Sequence, residues 1–210
     1  MSPATEQPPR ARALASGWPV RRTPRWVLLA GVVLVLVAVG VSLVHKPSQA
    51  ERASDMRGFL SDVTTDIESC AGGVGESLAA LRLVESGQDT AGDVSDGISV
   101  AEQGAANCSP ATNEQLDDLE NYQVSESLDS FGLIGAVSGL VAWAAPDAQN
   151  VQLDVAAVLS AKTAPARSHA EAQLNRDLAR LNAQRAKVDS PIDRAIKSLA
   201  MHASPPTLPG

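Results

Sequence analysis

The sequence predicts an all-α chain: a single N-terminal transmembrane helix followed by an extracytoplasmic antiparallel helical bundle. Three observations carry that expectation. Trp26–Val44 is a run of nineteen consecutive uncharged residues, roughly 28 Å long as a helix and close to the thickness of a bilayer's hydrocarbon core. Beyond it the apolar residues recur at steps of three and four, the period of helices that bury one face. Aromatic residues are few, two Phe, three Trp and one Tyr, so the core must be built from Ala, Val and Leu with little β-branched alternation, a composition that favours helices over sheets.

Residues 1–25 hold five prolines and five arginines. Such a segment cannot bury enough apolar area to offset its ordering entropy, so it is expected to be a disordered, basic, cytoplasmic tail. Arg10, Arg12, Arg21, Arg22 and Arg25 precede the span at residues 26–44, and only His45 and Lys46 follow it closely. The positive-inside bias then puts the N-terminus in the cytoplasm and residues 45–203, a helical ectodomain, outside. The expected localisation is a single-pass protein of the cell membrane. Arg outnumbers Lys by thirteen to four, which hints at a GC-rich bacterial source.

Charge is distributed unevenly. Residues 51–130 carry seventeen acidic and three basic side chains, whereas residues 131–210 carry six acidic and eight basic ones. The acidic middle would repel nucleic acid and anionic headgroups, which removes nucleic acid as a partner. The expected partners are the lipid bilayer and either a protein of the envelope or a second copy of this chain.

Within the ectodomain the first helix is expected over 51–85. Met56, Leu60, Val63, Ile67, Cys70 and Val74 step by four and three in turn, and Leu78, Leu81 and Val84 follow after a stutter, as in a coiled-coil stripe. Gly72, Gly73 and Gly75 interrupt it. Either a neighbouring backbone comes close there or the helix breaks. Ser86–Gly92 is a turn by composition. A second helix, 93–108 with Asp93 as N-cap, carries Val94, Ile98, Ala101, Ala105 and Cys108 in its stripe. Cys70 and Cys108 lie equally far from residue 89, the centre of the turn. In an antiparallel hairpin they face each other, so they are expected to form a disulfide, as cysteines of an exported domain do.

Thr112-x-x-Gln115 has the form of a capping box and starts a helix expected over 113–145. Its second part, Ser130–Pro146, is seventeen uncharged residues, the lower limit for spanning a bilayer. It reads as a buried helix of the bundle. The alternative is a second transmembrane helix, which would make the chain a two-span sensor or signal transducer. Gly135-x-x-x-Gly139 serves close helix packing in either solvent. Helices over 147–163, 166–189 and 191–202 follow, the last two separated by Ser190-Pro191, a pairing suited to a helix start. Residues 204–210, SPPTLPG, are expected to be a disordered C-terminus.

No catalytic, cofactor-binding or metal-binding residues are nominated. Asp89, Asp93 and Asp96 lack the alternate ligand register and distal Glu of a calcium loop. Asp117, Asp118 and Glu120 point around a helix. His45, His169 and His202 are dispersed, and no nucleophile elbow, phosphate loop or Cys-x-x-Cys pair is present. The chain therefore reads as a non-enzymatic, bitopic, membrane-anchored binding or scaffolding module of the cell envelope. A further alternative is a secreted helical protein cleaved after Ala50, because Ser48-Gln49-Ala50 has the small-x-small form of a cleavage site.

Overall fold

The computed structural model describes residues 46–87 and 91–210. The expected tail (1–25) and transmembrane helix (26–44) lie outside the described residues, as does the middle of the first turn. Residues from Lys46 onward form one unit. Among the described residues there is no strand, and six α-helices account for most of the chain: α1 (Gln49–Glu85), α2 (Ala91–Asn107), α3 (Glu114–Glu120), α4 (Leu133–Ala142), α5 (Gln149–Ser160) and α6 (Ala164–Ser198).

Capping explains where α1 begins. Glu51 N–H donates to Ser48 Oγ at 3.1 Å, and Ser48 N–H donates to Glu51 Oε2 at 3.3 Å. This reciprocal pair satisfies two of the backbone donors left free at a helix start. At the other end Ser86 and then Gly87, at φ 68°, close the last turn. The expected stripe is the buried face: Met56, Val63, Ile67, Cys70 and Val74 are all buried, and Phe59 joins them.

Contacts along α1 give the topology. Gly97 faces Ala80, Gly104 faces Gly73, and Cys108 faces Cys70. Asn113 donates to Ser69 Oγ, Tyr122 to Asp62 and Ser125 to Asp55. Numbers fall along α1 as they rise along its neighbour, so α2 and α3 together make one interrupted rod antiparallel to α1. Gly97 also meets Leu159, and Gly104 meets Gln152, which sets α5 antiparallel to α2. Gly139 of α4 lies against Val188 of α6. The result is an up-down-up-down bundle of four rods, α1, α2–α3, α4–α5 and α6, around a common core.

Several expected boundaries are corrected. The span 113–145 is not one helix. Asn113 rather than Thr112 caps α3, accepting from Gln115 N–H at 3.1 Å, because the Thr112 hydroxyl turns back to the carbonyls of Ala106 and Ser109. Asn121 ends α3 by donating to the Asp117 carbonyl. A 3-10 turn, Glu126–Phe131, then stops at Gly132, whose φ of 72° favours a residue without a Cβ. α4 is ten residues, about 15 Å, and a π-helical turn, Trp143–Ala148, with non-helical backbone at Ala145 separates it from α5. No described helix is long and apolar enough to cross a membrane. Leu133, Ala136, Val137 and Leu140 instead face the core.

Asp93, expected as an N-cap, sits inside the first turn of α2, which begins at Ala91. The helices expected over 166–189 and 191–202 are one. α6 continues through Pro191 to Ser198. Proline in a helix interior costs about 3 kcal/mol, and burial of Val188, Pro191, Ile192, Ala195 and Ile196 on one side offsets it. Ser190 Oγ accepts from Arg194 Nη1 at 2.7 Å rather than capping a new helix.

α6 ends in a Schellman motif. Met201 N–H donates to Ile196 O, and Ala200 N–H to Lys197 O, with Ala200 at φ 51°. The chain then reverses. Residues 204–210 are not a loose end: Pro206 and Leu208 are buried, and Leu208 belongs to the core. Periodicity had no bearing on a proline-rich segment that packs in extended form.

Candidate functional site

The acidic middle of the chain becomes a surface of α1, α2 and α3, with two distinct parts. The first lies between α1 and α3. Tyr122 OH donates to Asp62 Oδ2 at 3.1 Å, and the Tyr122 ring meets Phe59 edge to face, with centroids 5.8 Å apart. Partial burial, then the bond to Asp62 and its charge, push the phenol up to about 12. Asp66 is held above the ordinary carboxylate value of 3.8 by burial and by the neighbouring charges of Asp118 and Asp62. A little further along α1, Asp55 accepts from Ser125 Oγ at 2.9 Å and from Ser127 Oγ, and these bonds lower its carboxyl.

The second part is a groove on the outer face of the α1–α2 pair. Glu76, Ala79, Ala80, Leu83, Gly97 and Val100 line a cleft of about 390 Å³, with Asp93 and Asp96 on its rim. Leu83 is 53% exposed at its end. The groove continues past Glu76 and Val100 over Gly72, Gly73 and Gly104. Small residues make the two helices close, and Glu76, Asp93 and Asp96 stand along the edges.

Beneath this surface lies a polar node that holds it in place. Cys70 and Cys108 are paired at disulfide distance, with Cα atoms 4.7 Å apart and both side chains buried. Gln152 of α5 is fully buried beside them. Its Nε2 donates to Cys108 Sγ at 2.9 Å and to Ala148 O at 3.3 Å, and its Oε1 accepts from Ser77 Oγ at 3.4 Å. Ser77 also donates to Gly73 O at 2.7 Å. A buried amide with its hydrogen-bonding groups used rigidifies its surroundings, whereas one left open would cost about 1–3 kcal/mol.

Of the residues singled out from sequence, Cys70 and Cys108 come together. Asp118 lies close enough to Asp66 for their charges to interact, and Asp117, Asp118 and Glu120 are all exposed. His169 and His202 are exposed and remote from the acidic groove. His45 lies outside the described residues. Gly139 packs against Val188, whereas Gly135 faces open space. Among the described residues no three His, Cys, Asp or Glu side chains are grouped to hold a metal ion.

Sequence reading missed Gln152, Ser77 and the Asp62–Tyr122 pair. A signal existed for the first two: Gln152 follows Val151 within the apolar stripe of its helix, and Ser77 falls between Val74 and Leu81 on that of α1. A polar residue in an apolar stripe needs a buried partner. Asp62 and Tyr122 are sixty residues apart, and nothing local links them. Compared with known proteins, the chain matches no family model, no curated protein and no solved structure.

Proposed function

We propose that this protein is a non-enzymatic, single-span membrane protein with its N-terminus in the cytoplasm. Its helical bundle, outside the membrane, acts as a binding module whose acidic α1–α2 groove receives a basic, amphipathic segment of another protein of the envelope. The observation that carries the binding reading is the groove itself. Its floor of Ala79, Ala80, Gly97 and Val100, with exposed Leu83, takes an apolar stripe, while Glu76 and Asp96 on its edges complement lysine or arginine.

The anchor rests on sequence: nineteen uncharged residues with five arginines before them. The ten-residue α4 supports one span rather than two.

Two measurements test the reading. Single cysteines introduced as Ser54→Cys and Ser204→Cys, probed on intact cells with a membrane-impermeant thiol reagent, should both react. Reaction at neither, or at Ser54→Cys alone, would overturn the topology. For the groove, a lysine–leucine amphipathic peptide should bind the full chain in detergent micelles, weaken as salt rises, and lose at least tenfold in affinity with Glu76→Lys and Asp96→Lys combined. Unchanged affinity in that variant would remove the groove from the proposal.

A further inference from the structure

The end of the chain occupies a second groove, separate from the acidic one. After the reversal at Ala200, residues 199–203 lie beside Ala53 and Arg57 near the start of α1. Pro206, Thr207 and Pro209 then share a cleft with Thr64, Ile67 and Ala71, and Gly210 reaches Asn182 of α6. The segment therefore runs parallel to α1 and antiparallel to α6. It is seated by its side chains: Leu208 is 1% exposed and Pro206 is buried. Among the described residues, no hydrogen bond ties residues 202–210 to the helices. Pro205, Pro206 and Pro209 have no N–H to satisfy, so an apolar groove accepts this stretch at little polar cost, and its extended form is largely preset by proline.

We propose that this α1–α6 groove is a docking site for an extended, uncharged peptide segment of the Pro-Pro-x-Leu-Pro kind carried by a partner protein, and that residues 204–209 fill it in cis. The chain's own segment defines the chemistry that fits: Pro206 and Leu208 buried in the groove, with Pro205 and Pro209 half-buried on either side. Beside Gly210 lies a cleft of about 480 Å³ of mixed character, where Leu78, Leu81, Leu174 and Leu178 meet the polar side chains of Arg82, Glu85, Glu171 and Asn175. A tethered segment competes at an effective concentration on the order of millimolar, so the cis copy sets a threshold that only a better-fitting partner passes.

The test uses the full chain in detergent micelles, a second form ending at Ala203, and a fluorescent SPPTLPG peptide. The shortened form should bind the peptide at least tenfold more tightly than the intact chain, and the same peptide with Ala in place of Leu should not bind. A folded shortened form that fails to bind, or that binds both peptides equally, overturns the proposal. If shortening abolishes the helical circular dichroism, Leu208→Ala in the full chain decides by the same criteria, because it empties the leucine site without removing the segment. Sedimentation separates a second copy from other partners: a dimer of the intact chain that is lost on shortening would assign the groove to tail exchange and overturn the partner reading. The Glu76→Lys and Asp96→Lys changes should leave SPPTLPG binding unaltered, so this result and that for the acidic groove stand or fall independently.

Discussion

Gly73 of α1 and Gly104 of α2 cross so closely that a Cβ built on Gly73 would lie 2.9 Å from the Cα of Gly104. The contact sits one turn from Cys70 and directly above Gln152. Alanine at either position should therefore cost about 1–3 kcal/mol: at Gly73 the methyl meets the Gly104 backbone and Gln152 Oε1, and at Gly104 it displaces the buried Gln152 amide. Gly72 and Gly75, two near neighbours, meet nothing within 4 Å, so alanine there should stabilise α1 by about 0.5–1 kcal/mol. Urea unfolding of the four single variants checks this, and equal effects at all four positions would contradict the crossing.

The Cys70–Cys108 pair closes a loop across a sequence separation of 38. On the chain-entropy model such a link stabilises the fold by about 4 kcal/mol, equivalent to about 10 °C in a bundle of this size. Melting with and without reductant should show that fall. A Cys70→Ser, Cys108→Ser double variant should melt low in both conditions.

Tyr122 is the sole tyrosine, so the ultraviolet absorbance of its phenolate reports one group. Titration should place its midpoint near 12, and Asp62→Asn should bring it down toward the ordinary value of 10 without reaching it, since burial acts before the carboxylate does. The sign for stability follows from linkage. With the folded value raised, the contribution is whole below pH 10 and is lost as pH rises from 10 to 12, because the unfolded chain gives up its proton first.

Asp66 presents the acid side of the same cluster. Burial and the charges of Asp118 and Asp62 raise its carboxyl, so the folded state holds this proton more tightly than the unfolded one. Its contribution is present below pH 3.8 and lost as pH climbs through the raised value. Asp66→Asn should accordingly raise the melting temperature at neutral pH by about 2 °C and lose that advantage in acid.

Ala200 holds the left-handed position of the α6 Schellman motif at φ 51°, where a Cβ costs about 1–2 kcal/mol. Ala200→Gly should recover roughly 1 kcal/mol of that in urea unfolding. A loss of stability instead would mean that the alanine methyl group supports the reversal that leads the chain into its groove.

Local pattern determined the helices and their buried faces. Steps of three and four marked Met56 to Val74 as one stripe, and equal distance from a turn matched Cys70 with Cys108 before any coordinate, because side chains on an antiparallel pair meet in mirrored order. Ser48-x-x-Glu51 was equally legible as the capping box that starts α1. What only tertiary structure decided is where neighbours override local preference. Pro191 stays inside α6 because a buried face offsets its missing hydrogen bond. The segment between Asn121 and Gly132 leaves the helix, and Ser125 and Ser127 within it reach Asp55 of α1. Gln152 finds Ser77 and Cys108 from other helices, and SPPTLPG, which has no period to read, folds back because a groove between two helices buries Leu208. Periodicity encodes the face a helix hides; it does not encode the partner that hides it, and that partner lies far away in the chain.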